Sequence, residues 1–202
     1  MKLLFIESKK KLNLDLEEID FSMLPKEVFL AYSIQFKELA EKIKAKLGKR
    51  VKGFSQVLGC SLIKSKYPIL LVGSGRFHAL NLALKGNALY ILEGAKIKKL
   101  EEKEVEKIKA KRKAALSRFY SAENIGILVS TKPGQENLKE AVEIRKELAK
   151  KGKKSFIFLA DNISLEELEN YPIDSWVNTS CPALTFDAKV VSLWELDNKC
   201  IR

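Results

Sequence analysis

Short β-branched and leucine-rich runs alternate along this chain with lysine- and glutamate-rich stretches of helical period, and that alternation admits few folds. Strands separated by helices cannot close tight hairpins, so they pair in parallel through crossovers and stack as α/β layers. The runs predict strands at Leu3–Ile6, Val28–Tyr32, Val51–Gln56, Ile69–Val72, Ala88–Leu92, Ile125–Val129, Ser155–Leu159, Ser175–Val177 and Val190–Leu193. Nine short strands are too many for one small sheet. The expected architecture is therefore α/β, with two tandem parallel-sheet βαβ modules related by an internal repeat.

The intervening stretches carry helical stripes. Phe36, Leu39, Ala40, Ile43 and Leu47 fall at i, i+3, i+4, i+7 and i+11, and Leu138, Ala141, Val142, Leu148 and Ala149 form a second apolar set. Gly48 and Gly152 stand where a helix C-terminus favours a residue of positive φ. Ser164 and Glu167 have capping-box spacing and predict a short helix before Tyr171-Pro172. Between the modules, Lys96 to Arg118 is highly charged and helix-favouring, with sparse apolar positions, and reads as the connection. The predicted domains are residues 1–118 and 119–202.

In both modules a βα unit leads on to a strand that ends in cysteine. The first passes from Val28–Tyr32 through Ser33-Ile34-Gln35 and a helix ending at Gly48, then to Gln56-Val57-Leu58-Gly59-Cys60. The second passes from Ile125–Val129 through Ser130-Thr131-Lys132-Pro133-Gly134-Gln135 and a helix ending at Gly152, then to Trp176-Val177-Asn178-Thr179-Ser180-Cys181. Equivalent thiols on equivalent modules point to a shared metal site at Cys60 and Cys181. Cysteine is also a small buried hydrophobe common at the ends of core strands. A closed zinc or iron site takes three or four ligands, so two thiols do not complete one. Cys200 is the only other cysteine in the chain.

At 202 residues and 46% hydrophobic content the chain has the make-up of an ordinary globular protein. It has no apolar run of the ~20 residues that span a bilayer, and Leu3-Leu4-Phe5-Ile6 is too short for a signal-peptide core, so a cytoplasmic protein without membrane attachment is expected. Three irregularly spaced cysteines make no paired framework, which fits reduced thiols. The formal charge of +11 invites a nucleic-acid reading. Its lysines, however, are mixed with glutamates over nearly every helix, as solvated helix faces are, and no aromatic-interleaved basic patch is present. No specific nucleic-acid partner is expected.

Two glycine-bearing loops follow strand ends: Val72-Gly73-Ser74-Gly75-Arg76-Phe77-His78 and Thr131-Lys132-Pro133-Gly134-Gln135. There, glycine lets backbone N–H groups approach a ligand, and the following helix N-terminus favours an anion. A tight βα turn without ligand has the same residues. Neither loop matches GxGxxG or GxxxxGK[ST], which leaves nucleotide hydrolysis without support. His78 is the only histidine and excludes a His-rich metal site; it reads equally as a ligand or as a structural residue. Trp176 and Trp194 read as core or interface aromatics.

These motifs together resemble the radical enzyme family of diphthamide biosynthesis, 2-(3-amino-3-carboxypropyl)histidine synthase. The resemblance rests on Gln56–Cys60, the Val72–His78 loop running into Ala79–Leu84, Thr131–Gln135, and Trp176-Val177 with Cys181-Pro182. The motifs occur in the family's order over essentially the whole chain.

The resemblance implies α/β modules that each give one cysteine to a [4Fe-4S] cluster. It implies S-adenosylmethionine bound at the fourth iron, its aminocarboxypropyl group released as a radical and added to a histidine of translation elongation factor 2. The chain is similar to the family's second and third modules only, with Cys60 and Cys181 matching their cluster ligands. Gly73, Ser74, Gly75, His78, Thr131, Gly134 and Gln135 become candidates for holding the cofactor's amino-acid end. A first-module partner or a second copy, in a homo- or heterodimer, is expected to complete the site. Ala183 stands where the family commonly has arginine. The other readings are a non-catalytic binding or regulatory module without its own cluster, and a stand-alone site that recruits Cys200.

Overall fold

In a computed structural model of the chain, residues 14–58, 63–73, 76–84, 86–181 and 190–196 are described. The expected strand at Leu3–Ile6 lies outside them. The chain divides into two compact units, Met1–Val105 and Glu106–Arg202, whereas the charge pattern placed the boundary at residue 118.

The first unit contains β1 (Val28–Tyr32), α1 (Lys37–Leu47), β2 (Val51–Gln56), β3 (Ile69–Val72), α2 (Arg76–Ala83), β4 (Leu89–Glu93) and β5 (Lys96–Lys99). Its sheet has the order β2-β1-β3-β4-β5, parallel except for β5, which runs antiparallel to β4. From α3 (Glu102–Ser121) the chain enters β6 (Asn124–Ser130), α4 (Leu138–Lys150), β7 (Lys154–Ala160), β8 (Ser175–Asn178) and β9 (Val190–Ser192). The second sheet has the order β7-β6-β8-β9 and is parallel throughout. Taken in chain order, the four parallel strands of each unit are arranged 2-1-3-4. The switch point, where successive crossovers leave in opposite directions, lies between β1 and β3 in one unit and between β6 and β8 in the other. Ligands of open parallel sheets bind in the crevice at such points, outside the strands' carboxyl ends.

The central strands are continuous apolar runs because both their faces are covered. Leu30, Leu70 and Val72 pack with Ala40 and Ile43 of α1, while Ala31, Ile69 and Leu71 pack with Ala79 and Leu82 of α2. In the second sheet Ile125, Ile127, Val129 and Val177 pack against Ala141, Ile144 and Leu148 of α4 and Ala115 and Phe119 of α3. Its opposite face is covered by the segment between β7 and β8, where Leu168 packs on Leu128, Trp176 and Val190. Each sheet has an aromatic ring lying over a strand glycine: Phe29 of β1 on Gly53 of β2, and Trp176 of β8 on Gly126 of β6.

Several sequence expectations are corrected. The α4 stripe is Ala141, Ile144 and Leu148, with Leu138 and Val142 exposed, because the sheet selects one narrow line of the helix. Lys96–Lys99, assigned from its charge to the helical connection, is an edge strand with Ile97 buried; Gly94 at φ 60° turns the chain back from β4. The turn after Ser164 is a short 3-10 helix at Glu167–Asn170 without a side-chain cap. A capping box does occur at Ser192/Glu195. Gly48 and Gly152 have φ of 53° and 75°, as a helix end requires.

Asp174 fastens the amino-terminal ends of β6 and β8. Its Oδ2 accepts from the backbone N–H of Asn124 (2.8 Å) and Glu123 (3.1 Å). These backbone donors, Asn124 first, hold its carboxyl below the ordinary carboxylate range. A carboxyl with a folded pKa below its unfolded one contributes stability above the unfolded value, about 3.9, and loses it as pH falls through the folded value. An Asp174→Asn chain is therefore expected to unfold less steeply with acid below about pH 4 than the wild type. Acid titration followed by tryptophan fluorescence measures this, and superimposable acid limbs would count against it.

Candidate metal and cofactor site

The carboxyl ends of β6 and β8 converge on a closed polar network that presents Cys181. Ser130, Asn178, Thr179 and Ser180 are all buried there. The Ser130 N–H donates to Ser180 Oγ (2.7 Å), and the Ser180 N–H donates to Asn178 Oδ1 (2.8 Å). Asn178 Nδ2 donates to the Cys181 carbonyl (2.9 Å), so one amide spans the turn that carries the cysteine. Thr179 ties back to β6, its N–H and Oγ1 both donating to the Leu128 carbonyl (3.1 and 2.7 Å). Asn137, just ahead of α4, donates through Nδ2 to the Thr179 carbonyl (2.6 Å). Buried polar groups satisfied this completely form a rigid support. Cys181 itself is half-buried, with a free thiol.

The Thr131–Gln135 loop lies at the same switch point. Lys132-Pro133-Gly134-Gln135 is a β-turn closed by the Gln135 N–H on the Lys132 carbonyl (3.0 Å), with Gly134 at φ 76°. Proline in second place and a glycine of positive φ in third suit such a turn. Thr131 Oγ1 donates to Asp161, beyond the end of β7. Thr131 and Gly134 are exposed and Gln135 is half-buried.

The switch point of the first unit is built from Ser33 and Gly73. Ser33 follows β1 and is only 4% exposed, yet its Oγ has no hydrogen-bond partner. A Cβ on Gly73 would stand 2.9 Å from that oxygen, so the close approach of the two loops requires glycine there. His78, in the first turns of α2, is half-buried, and burial pushes its imidazole below the usual histidine range. Ser74 and Gly75 lie outside the described residues, as do Cys60, Ala183 and Cys200.

The two cysteines do not follow equivalent strands. Cys60 comes after β2, the outermost strand and second of its unit in chain order, whereas Cys181 comes after β8, an inner strand and third of its unit. The counterpart of β8 is β3, which leads to Gly73. The sequence reading equates them only by passing over the strand after Gly152: β7, the counterpart of β2, stands between that helix and β8. Ser33, Asn137, Asn178 and Ser180 also escaped it. Their one signal is the polar run Asn178-Thr179-Ser180 directly after an apolar strand.

The donors present fit part of a cluster site and part of a sulfonium amino-acid site. Cys181 is one accessible thiol on a fixed turn, but the described residues contain no group of three His, Cys, Asp or Glu side chains able to hold a metal. The unpartnered Ser33 hydroxyl beside Gly73 is a donor suited to a carboxylate.

The family model described as "Putative diphthamide synthesis protein" matches residues 1–195. The chain is 31% identical over 141 residues to 2-(3-amino-3-carboxypropyl)histidine synthase of Pyrococcus horikoshii, an alignment covering 68% of this chain and 41% of that one. It is also 31% identical over 168 residues to the synthase of Methanocaldococcus jannaschii, covering 80% of this chain and 46% of the relative. Among solved structures, Dph2 from Pyrococcus horikoshii with a 4Fe-4S cluster superposes with a TM-score of 0.72 at 25% identity, over 84% of this chain and 55% of that one. The chain thus spans about half the length of the relatives it matches. The matched family model and the shared α/β fold together establish that this chain belongs to the diphthamide synthesis protein family.

Proposed function

We propose that the chain is a subunit of an iron–sulfur enzyme that cleaves S-adenosylmethionine and transfers its 3-amino-3-carboxypropyl group to a histidine of translation elongation factor 2. Cys60 and Cys181 supply two cluster ligands, and a first-module partner or a second copy supplies the third. The reaction is assigned to the cytoplasm, with no membrane and no specific nucleic acid involved. Among the described residues no helix is long and apolar enough to cross a membrane.

The observation that carries this reading is Cys181 held at a switch point by a fully bonded polar turn. When bound, the cluster supplies a reducing electron and an open iron position for the sulfonium ligand. The chain's own residues do the holding. The Ser33 hydroxyl and the backbone at Gly73, with Ser74 and Gly75, bind the cofactor's carboxylate. The Thr131–Gln135 loop, through Thr131, Gly134 and Gln135, orients its amino-acid end. His78, kept neutral at pH 7 by burial, offers one N–H and one lone pair rather than a charge.

Anaerobic reconstitution with iron quantification tests the proposal. The chain mixed with a first-module protein is expected to bind a cluster and to modify elongation factor 2 when S-adenosylmethionine and a chemical reductant that charges the cluster are added. The chain alone is expected to bind little iron unless a second copy completes the site. Failure of every such mixture to bind iron overturns the proposal and leaves a binding module.

A further inference from the structure

We propose that the outward face of α3, from Lys107 onward, binds single-stranded RNA through its phosphates without reading sequence. The inference goes beyond the proposed activity and does not depend on iron.

Charge on this helix is one-sided. Lys107 to Ala122 contains six basic residues and no acidic one, in contrast to the lysine and glutamate mixture of α1 and α4; Glu106 and Glu123 bound the stretch. Arg112 is turned inward to Glu195, while Lys107, Lys109, Lys111, Lys113 and Arg118 are exposed. Lys107, Lys109, Lys113 and Arg118 meet no carboxylate among the described residues. On α4, by contrast, Lys146 pairs with Glu143 (2.8 Å) and Lys150 with Glu147 (2.6 Å). Two ordinary reasons for such a run fail. A surface adapted to heat links its charges into ion pairs, and these lysines are unlinked. Cations that serve the helix dipole belong in the last turn, whereas Lys107, Lys109 and Lys113 lie in mid-helix. The helix end already has its cation, because Lys153 Nζ donates to the Tyr120 and Ala122 carbonyls (2.8 and 2.5 Å).

Helical spacing sorts the exposed side chains into two lines. Lys109, Lys113 and Tyr120 fall at i, i+4 and i+11 on one, and Lys107, Lys111 and Arg118 have the same spacing on the other. Between them run Ala110, Ala114 and Ser117, also exposed, with no bulky side chain to hold a ligand away from the cations. Charge and shape select the occupant. A protein partner needs large anchors and pockets at the centre of its contact, and alanines supply neither. A phosphate chain needs only cations within reach, and it releases counterions on meeting them. The Tyr120 ring, 50% exposed, is braced edge-to-face on Phe119 with centroids 5.6 Å apart, and it continues the line of Lys109 and Lys113. An exposed ring beside a basic track stacks a base, whatever its identity, provided that the base is unpaired. Unpaired stretches are the ordinary recognition sites of RNA.

Fluorescence anisotropy of a labelled single-stranded RNA of mixed sequence, titrated with the iron-free full chain at several salt concentrations, tests this. Binding is expected, with an affinity that falls as a power of the salt concentration. Lys109→Gln with Lys113→Gln is expected to weaken binding roughly tenfold or more at low salt. The same pair should reduce the log–log salt slope by about 1.4, since each phosphate contact on a single strand contributes about 0.7. Tyr120→Ala is expected to weaken binding roughly fivefold or more with the slope unchanged. The control, Lys146→Gln with Lys150→Gln, removes the same charge from α4 and is expected to bind within about twofold of the wild type. All these side chains are exposed, and tryptophan fluorescence checks that each variant folds. A wild type that does not bind, or an α4 pair that weakens binding as much as the α3 pair, overturns the proposal. So does a duplex RNA that binds as tightly as the single strand, or polyglutamate that displaces the RNA at equal charge, which would assign the face to an acidic protein.

Discussion

A Cys181→Ser chain is expected to fold as the wild type does and to lose its share of bound iron when reconstituted with a first-module partner. Support for Cys181 comes from backbone and neighbouring side chains. Asn178 holds its carbonyl, Ser180 and Thr179 tie the preceding residues to β6, and the thiol makes none of these bonds. Serine keeps the size and leaves that scaffold whole, so the stability change should stay within about 0.5 kcal/mol. A hydroxyl in place of a thiolate, however, removes a soft ligand that iron–sulfur clusters require. Iron content should fall to the level of the partner alone, with the urea midpoint unmoved. A serine variant retaining full iron would remove Cys181 from the ligand set. One that unfolds would show the cysteine to be a packing residue instead.

Arg112→Ala is expected to cost the second unit about 3 kcal/mol, the low end of what removing one partner of a buried ion pair costs. Arg112 lies on α3 in the charged stretch that looks solvated in the sequence, yet it is 8% exposed. Its Nε and Nη2 form a forked pair with the two Glu195 oxygens, and Nη1 donates to the Val190 carbonyl (3.0 Å). Glu195 Oε2 also accepts the Ser192 N–H (2.8 Å), closing the capping box after β9. Alanine leaves this carboxylate without its cation and the β9 carbonyl without its donor. The low end applies because the Glu195 side chain is 28% exposed and water can reach it. Arg112→Met combined with Glu195→Leu should recover part of the loss, since both charges are then gone. Trp176 and Trp194, the chain's two tryptophans, both lie in the second unit, so fluorescence-detected urea unfolding reads it directly. A loss below about 1 kcal/mol would mean that water replaces the guanidinium without penalty.

The contrast between Arg112 and α1 shows where sequence reading succeeds. On α1 the periodic residues Ala40, Ile43 and Leu47 are the buried ones, because that helix meets its sheet along one stripe. On α4 the apolar residues occupy more than one stripe, and only contact with the sheet at β6 and β7 chose Ala141, Ile144 and Leu148 over Leu138 and Val142. Lys96–Lys99 became a strand because β4 offered an open edge, a partner that no local propensity records. The candidate loops were legible as glycine after a strand. Their place in the sheet was not: one strand more precedes Cys181 than Cys60 in its unit, and the strand order shows that this puts Cys181 after an inner strand and Cys60 after the outermost one.

The sequence by itself determined the α/β class, the positions of the described parallel strands to within a residue or so, and the family motifs. Those depend on side-chain period and on residues adjacent in the chain. Tertiary structure alone decided that the glycine loops fall at switch points, that Asn178, Thr179 and Ser180 close a network beneath Cys181, and that a surface-looking arginine is an internal cation. Each is settled by which strand lies beside which. That ordering comes from burying apolar faces between residues tens of positions apart, and no local pattern encodes it.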